Sequence, residues 1–114
     1  MGSDCLFCKI AGGEIPANKL YEDDEMVAFW DINPQAPKHF LVIPRKHLAG
    51  PGAVTAAETG LVGSLIAKSG ELARREGIGD GFRLVLNNGV EAGQTVYHLH
   101  LHVLGGRAMG WPPG

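Results

Sequence analysis

Residues Tyr97 to Leu104, YHLHLHVL, alternate polar and apolar side chains. A period of two residues is typical of a β-strand that packs one face on a core, and a helix would scatter such residues around its axis. In a strand, His98, His100 and His102 lie about 6.5 to 7 Å apart along one face. The chain is therefore expected to form a sheet in which a row of imidazoles shares a face, and the opposite face of that strand carries Tyr97, Leu99, Leu101 and Val103.

The rest of the chain predicts a small α+β fold around this strand. A short helix is expected over residues 5–10, ended by Gly12 and Gly13, and a long amphipathic helix runs from the capping-box pattern at Thr55 to Gly77. Because strands that follow one another along a chain usually pair antiparallel, we expect a mostly antiparallel five-stranded sheet with the long helix on one face. The five strands are predicted over residues 19–22, 26–31, 39–43, 82–87 and 95–104.

Size and charge limit the classes of function. With 114 residues, 45% of them hydrophobic, residues 1–114 are expected to form a single domain with one core. The net charge of -2 offers no basic field for nucleic acid or anionic lipid. No secretion signal or long apolar run is present, so a cytoplasmic location is expected.

Histidine is an unusual choice for merely filling the polar face of a strand, so the row of three histidines indicates a functional site. Imidazole can act as a nucleophile, as a proton carrier near neutral pH or as a metal ligand. One possibility is a metallohydrolase in which His98, His100 and His102 bind zinc and leave a fourth position for water. The residues alone leave this choice open.

Cys5 and Cys8 form a Cys-x-x-Cys motif, and they are the two cysteines of the chain. Without a secretion signal, a disulfide framework is not expected, and metal binding or redox chemistry remains. Redox chemistry is the weaker alternative because no thioredoxin-like βαβ order surrounds the motif.

Several stretches together resemble one known family. HLHLHVL is similar to the signature of the histidine triad (HIT) superfamily. CLFCKI, IPANKLYED, FWDINPQAPKHFLVIPRKH, LNNG, AGQTVYHLHLHVLGGR and WPPG resemble, in order and spacing, its Hint branch, the purine nucleoside phosphoramidases. The resemblance implies a homodimeric enzyme that cleaves the P–N bond of adenosine 5′-phosphoramidates to AMP and an amine. Two alternatives are a dinucleoside polyphosphate hydrolase and a nucleotide-binding regulatory module with incidental hydrolysis.

The resemblance also implies roles for individual residues. His100 matches the nucleophile that forms a covalent nucleotidyl-histidine, and its second ring nitrogen is expected to donate to a backbone carbonyl. His102 matches a phosphate contact that handles protons, and His39 matches a histidine that orients the triad. Asp31 matches the acceptor of the ribose hydroxyls. The other implied nucleotide contacts are Phe7, Phe29, Ile32, Asn87, Gly93, Gln94, Thr95 and Trp111.

Two positions depart from the closest members of that branch. Thr95 occupies a position that is usually serine, whose hydroxyl assists the departing amine, and Gly110 stands where histidine often precedes the tryptophan. We therefore expect activity with an altered range of leaving groups. The C-terminal tail with Trp111 is expected to reach the partner's site.

The resemblance also implies which residues bind a metal. In bacterial members with the N-terminal cysteine pair, zinc is held at the positions of Cys5, Cys8, His47 and His98, all of which carry ligands here. The expected zinc is structural, and no organic cofactor is expected. The expected partners are a purine nucleotide and a second copy of the chain, with neither nucleic acid nor membrane.

Overall fold

The computed structural model describes residues 4–114, so the first three residues of the predicted domain lie outside it. It confirms the α+β prediction, with a five-stranded sheet, one long helix and one short helix. Single-turn 3₁₀ helices occur at Pro51–Ala53, Ala56–Glu58 and Val90–Ala92. The main elements are α1 (Leu6–Ala11), β1 (Lys19–Glu22), β2 (Met26–Trp30), β3 (Lys38–Pro44), α2 (Thr59–Arg75), β4 (Phe82–Val85) and β5 (Leu101–Gly105).

The sheet order is β1-β2-β3-β5-β4, and every neighbouring pair is antiparallel. The expectation that consecutive strands pair is wrong for β3, which pairs with β5 instead of β4. The chain leaves β3, crosses one face through α2 and returns as β4 at the sheet edge. The gap between β3 and β4 is then filled by β5, which pairs with both strands.

The fifth strand is shorter than predicted, because it begins at Leu101 and not at Thr95. Its ladder with β3 runs only as far as the pair Val42–Leu101. The next residues of β3 lead to Pro44, which has no N–H to continue a ladder. Residues before Leu101 use other partners, and the Leu99 N–H donates to the Leu48 carbonyl oxygen at 2.6 Å.

The two faces of the sheet pack against different helices. Alternation along β3 sends Phe40 and Val42 towards α2, where they join a core with Leu65 and Leu72. The residues between them face the other way and pack against α1, in a second cluster made of Phe7, Ile10, Ala11, Val27, Phe29, Leu41 and Ile43. The sheet is thus buried on both faces, and the histidine row belongs to the α1 side.

The approach to α2 contains the predicted capping box, displaced from the helix itself. The Thr55 hydroxyl accepts a hydrogen bond from the Ala57 N–H at 3.2 Å, and the Glu58 carboxylate accepts from the Thr55 N–H at 2.8 Å. These bonds cap the 3₁₀ turn Ala56–Glu58, and α2 follows from Thr59. The bond from the Thr55 N–H, together with Lys46, lowers the pKa of Glu58 to about 2.

Within residues 4–114, every helix is too short or too polar to cross a bilayer.

Candidate functional site

A cavity of about 400 Å³ opens on the α1 side of the sheet. One part of its wall is polar and includes Asp31, Thr95, His100 and His102. The remainder is mostly apolar, with contributions from Leu6, Phe7, Ile10, Ile15, Phe29 and Leu41. An apolar cleft of this volume with a few converging polar groups is the usual form of a small-molecule site.

His100 has its ring fixed from one side. Its Nδ1–H donates to the His98 carbonyl oxygen at 2.7 Å, and a carbonyl can only accept. The proton of the neutral ring therefore lies on Nδ1, and Nε2 keeps its lone pair. Phe7 packs edge-on against the ring at 5.0 Å between centroids. In its neutral form, His100 thus presents the Nε2 lone pair from a ring that is fixed in the wall of the cavity.

His39 and His102 form a hydrogen-bonded relay behind this wall. The Gln35 backbone N–H donates to His39 Nδ1 at 3.0 Å, so the proton of the neutral His39 ring is on Nε2. This Nε2–H donates to His102 Nδ1 at 2.9 Å, and the neutral His102 ring therefore carries its proton on Nε2. Asp31, His39 and His102 also lie close enough to suggest metal ligands. Because the Gln35 N–H occupies His39 Nδ1, however, His39 Nε2 could bind a metal only as an imidazolate, and we therefore interpret the trio as a relay.

Burial keeps both relay histidines neutral. Desolvation lowers the pKa of His39, partly opposed by the Asp31 carboxylate, whose Oδ2 lies 3.4 Å from Nε2. Desolvation, with the nearby His100 and His39 rings, lowers the pKa of His102 to about 4. At neutral pH the relay therefore holds a fixed set of hydrogen positions.

Asp31 and Ile32 follow directly after β2. The Asp31 Oδ1 accepts from the Asn33 N–H at 2.8 Å, which fixes the carboxylate at the cavity wall. Ile32 is fully exposed at the rim of the cavity. An apolar side chain on an open rim is available to cover one side of a ligand.

The loop before the triad is held by Gln94. Its buried side-chain amide donates to the Ala49 and Val96 carbonyl oxygens at 2.7 and 3.1 Å, and its Oε1 accepts from the Gly89 N–H at 2.8 Å. The Gln94 backbone N–H donates to the Gly89 carbonyl oxygen at 3.1 Å. Gly93 adopts a left-handed conformation with φ of 88°, which favours glycine.

Not every predicted contact residue lines the cavity. Phe7, Phe29 and Ile32 do, together with its polar residues, whereas Asn87, Gly93, Gln94 and Trp111 are not part of the wall. The Trp111 side chain is 84% exposed, and the adjacent Gly110 carbonyl oxygen accepts from Arg83 Nη2 at 2.8 Å. Trp111 is thus not part of the cavity of its own chain.

Four predicted metal ligands converge beside the cavity. His98 Nδ1 lies 3.3 Å from Cys5 Sγ, 3.5 Å from Cys8 Sγ and 3.2 Å from His47 Nδ1, and Cys8 Sγ lies 3.3 Å from His47 Nδ1. In a tetrahedral zinc site the ligand atoms stand about 3.3 Å apart for N···N and about 3.5 Å for N···S, from the usual bond lengths. The four residues therefore have the composition and spacing to bind a metal such as zinc.

The hydrogen bonding of His98 suits it to be a ligand. Its Nε2–H donates to the Pro44 carbonyl oxygen at 2.8 Å, so its Nδ1 lone pair faces the thiols. Burial lowers its pKa, which also favours the neutral ring. His98 thus serves two groups, with its ring in the metal cluster and its carbonyl on His100.

Some residues that shape the site were not singled out from the sequence. The Pro44 carbonyl and the Gln35 N–H fix the rings of His98 and His39, but backbone groups leave no mark in residue types. The apolar wall of Leu6, Ile10, Ile15 and Leu41 was also missed. Their signal was the apolar spacing within CLFCKI and IPANK, which alone is indistinguishable from an ordinary core.

A family model, a sequence relative and solved structures all match this chain to the same family. The HIT domain model matches residues 12–109. An uncharacterized HIT-like protein of Synechocystis is 56% identical over the full length of both chains. The crystal structure of a HIT family hydrolase from Legionella pneumophila superposes with a TM-score of 0.96, at 51% identity, over 97% of this chain and 100% of that one. A histidine triad protein from Clostridium difficile gives 0.92 at 42% identity, with 96% of each chain covered.

Proposed function

This chain belongs to the HIT domain family, and from that premise we propose that it hydrolyses the P–N bond of purine nucleoside 5′-phosphoramidates. The observation that carries the proposal is the orientation of His100, whose Nδ1–H is held by the His98 carbonyl, so that the neutral ring has its Nε2 lone pair available for attack at the cavity wall. The hydrolase description of the Legionella relative supports the reaction class.

The first step is a displacement at phosphorus. His100 Nε2 attacks, a nitrogen–phosphorus bond forms, and the bond from phosphorus to the amine breaks. The Nδ1–H bond to the His98 carbonyl strengthens as the ring becomes positively charged. One difficult displacement is thereby divided into two easier ones.

The leaving amine needs a proton, which it can take from the Thr95 hydroxyl at the cavity wall while that hydroxyl takes one from a neighbouring water. The His102 Nε2–H, held in place by the His39 relay, is oriented to donate a hydrogen bond to a phosphate oxygen and keeps its proton, because a neutral imidazole that lost it would become an anion. In the second step water attacks phosphorus, the bond to His100 breaks, and AMP leaves. The hydroxide formed in the first step takes up the proton released by the attacking water.

The remaining cavity residues suit a nucleotide. The Asp31 carboxylate can accept from the ribose hydroxyls, and the apolar wall with Phe7, Phe29 and Ile32 can enclose a purine. The amides of Thr95 and Val96 are the candidates for phosphate oxygens, since the Gln94 N–H is engaged with Gly89. Asn87, Gly93 and Trp111 are proposed only as indirect contributors, through the loop, the fold or a partner chain.

Zinc bound by Cys5, Cys8, His47 and His98 would supply a structural cross-link and no step of the chemistry. All four ligands are protein atoms, and a structural site of this kind leaves no coordination position for water. The His98 ring would remain a ligand while its carbonyl acts on His100.

The test is turnover of a fluorogenic adenosine 5′-phosphoramidate by the wild type and by His100→Ala, each before and after treatment with a strong zinc chelator. We expect turnover by the wild type, none by His100→Ala, and turnover that survives chelation. Asp24→Asn, on the exposed turn between β1 and β2 and outside the cavity wall, is the matched control and should behave as the wild type.

Other outcomes favour other functions. Turnover abolished by chelation in a folded protein would favour a metallohydrolase. Preference for dinucleoside polyphosphates would favour a dinucleoside polyphosphate hydrolase, and AMP binding without turnover would favour a regulatory nucleotide-binding module. Each of these results would overturn the phosphoramidase proposal.

A further inference from the structure

The short helix α1 contributes to two neighbouring sites at once. Cys5 caps its N-terminus and Cys8 lies within its first turn, and both thiols face the metal cluster. Phe7, between them in sequence, packs on His100 at 5.0 Å and on Phe29 at 5.5 Å between ring centroids. Leu6 and Ile10 also line the cavity. A single helical segment thus carries half of the metal ligands and one wall of the nucleotide cavity.

We propose that Cys5 and Cys8 are positioning residues for the nucleotide: zinc held by them, with His47 and His98, docks α1 as the wall of the cavity, so that binding of zinc and binding of the nucleotide strengthen each other. This inference rests on the proposed function, because it takes the ligand of the cavity to be a purine nucleotide.

The helix depends on external anchors. It has six residues, well below the roughly 12–15 residues at which an isolated helix becomes marginally stable in water. Its C-terminal end is held by Arg45, whose Nη1 donates to the Ala11 carbonyl oxygen at 2.6 Å. At the N-terminal end the polar anchor is the cysteine cluster, where Cys5 Sγ also accepts from the Cys8 N–H at 3.3 Å. Loss of the metal is therefore expected to loosen the end of α1 that carries Leu6 and Phe7, which then keeps mainly its apolar packing.

The nucleophile has separate supports. The His98 ring is bonded to the Pro44 carbonyl, the Leu99 N–H to the Leu48 carbonyl, and β5 pairs with β3 from Leu101 onwards. None of these hydrogen bonds involves a cysteine thiol. Metal loss is therefore expected to weaken nucleotide binding and to leave the chemical step nearly intact.

The coupling must be reciprocal. If zinc raises the affinity for AMP by a given factor, AMP raises the affinity for zinc by the same factor. We expect about 10-fold, within the usual range of such couplings. A purely structural role of the metal, remote from the cavity, would leave both affinities unchanged.

The experiment uses the full chain, loaded with zinc or stripped by chelation, and with circular dichroism to verify that the stripped protein stays folded. Cobalt substitution first reports the ligands, because two thiolates give a ligand-to-metal charge-transfer band. The dissociation constant of AMP is then measured calorimetrically in both forms, and that of zinc by competition with a chelator, with and without AMP. We expect both constants to change about 10-fold, with KM raised on stripping and kcat retained.

Two variants distinguish the loss of a cysteine ligand from a general change in the helix that carries it. Cys8→Ser should lose the charge-transfer band and reproduce the weak AMP binding of the stripped protein. Lys9→Ala, on the same helix with both cysteines intact, should bind as the wild type. If Cys8→Ser fails to fold, reloading the stripped wild type with zinc gives the same comparison.

Three results would overturn the inference. They are the lack of a cobalt–thiolate band, an AMP dissociation constant that is the same with and without zinc, and a fall in kcat at unchanged KM, which would mean that the metal serves the nucleophile. Failure of the zinc-loaded protein to bind AMP is a different result, because it contradicts the proposed function itself.

Discussion

At the scale of single residues, backbone groups determine the protonation state of the histidine rings. The His98 carbonyl selects the His100 tautomer, and the Gln35 N–H selects that of His39, which in turn selects that of His102. The histidines themselves were recognisable in the sequence. Their hydrogen positions were not, because they depend on which main-chain atoms the fold brings to each ring.

Replacing His39 with alanine removes the donor that holds His102 Nδ1. We expect kcat for the adenosine phosphoramidate to fall about 10-fold, equivalent to about 1.4 kcal/mol and so to one hydrogen bond, with KM little changed. Steady-state kinetics measures this, and ¹⁵N NMR of the His102 ring should show mixed tautomers. An unchanged kcat and a single tautomer would contradict the relay.

The lowered pKa of His102 has a consequence for stability. An unfolded histidine takes up its proton near pH 6.5, whereas folded His102, surrounded by His39, His100 and Asp31, does so only near pH 4. Between these values the unfolded chain binds more protons, so the free energy of unfolding falls as the pH is lowered. The Glu58 contribution is lost at lower pH, between its usual pKa and about 2.

Urea unfolding from pH 7 to pH 4.5 tests this. The wild type should lose stability over that interval, and His102→Gln should lose less, because one of the contributing rings has been removed. Equal slopes for the two proteins would show that His102 does not titrate as the structure indicates.

At the scale of elements, α2 shows what amphipathic spacing can and cannot predict. Its buried positions, Leu65, Ser69, Leu72 and Ala73, follow the expected helical period. Three of them, Leu65, Leu72 and Ala73, pack in the core against the sheet. The long helix was therefore predictable. The separate 3₁₀ turn before it was not, since the capping box at Thr55 fits the start of either kind of helix.

The fully buried Leu72 provides a test of this packing. Leu72→Ala should reduce the free energy of unfolding by about 3 kcal/mol, from lost burial and the cavity left behind. Val90→Ala, at an 80% exposed position of the 3₁₀ turn Val90–Ala92, is the matched control and should have little effect. Comparable losses for both variants in urea unfolding would mean that α2 is not packed as described.

The early end of the strand ladder has a similar explanation. Alternation from Tyr97 onwards predicted a strand over the whole run, and Leu99, Leu101 and Val103 are indeed buried on the α2 side. A strand also needs a hydrogen-bonding neighbour, and β3 stops at Pro44. Side-chain pattern reveals which face a residue takes, but the partner strand decides where the ladder ends.

At the scale of the whole molecule, the segment Pro44–Leu48 joins parts that are distant in sequence. Pro44 contacts the triad, Arg45 the end of α1, His47 the metal cluster, and Leu48 the residue before His100. In the sequence this segment was recognised mainly through His47. Its joining role could not be foreseen, because three of these contacts use backbone atoms or a remote side chain.

We also expect the protein to form a homodimer, as the resemblance to the Hint branch implies. On the outer side of α2, Ile66 is 46% exposed, and just after the edge strand β4 Leu86 is 39% exposed. The apolar stripe of α2 itself is used by the chain's own core, so these outer residues are the candidates for the interface. The exposed edge of β4 offers backbone groups for pairing.

Analytical ultracentrifugation at micromolar concentration tests this assembly. The wild type should sediment as a dimer, and Ile66→Glu should shift it towards the monomer, because a charge in an apolar interface is costly to desolvate. Glu71→Lys, at another exposed position of α2, controls for a change of surface charge. A monomeric wild type would contradict the expected homodimer.

The Trp30 indole is edge-on to Phe40 at 5.7 Å and lies beneath the Lys38 ammonium at 5.4 Å from its ring, on the α2 side of the sheet. The only other indole belongs to the exposed Trp111. With Trp111 replaced by phenylalanine, all indole emission would come from the core between the sheet and α2. The molecule thus contains its own optical reporter, and loosening of that packing should be visible as a spectral shift without any attached dye.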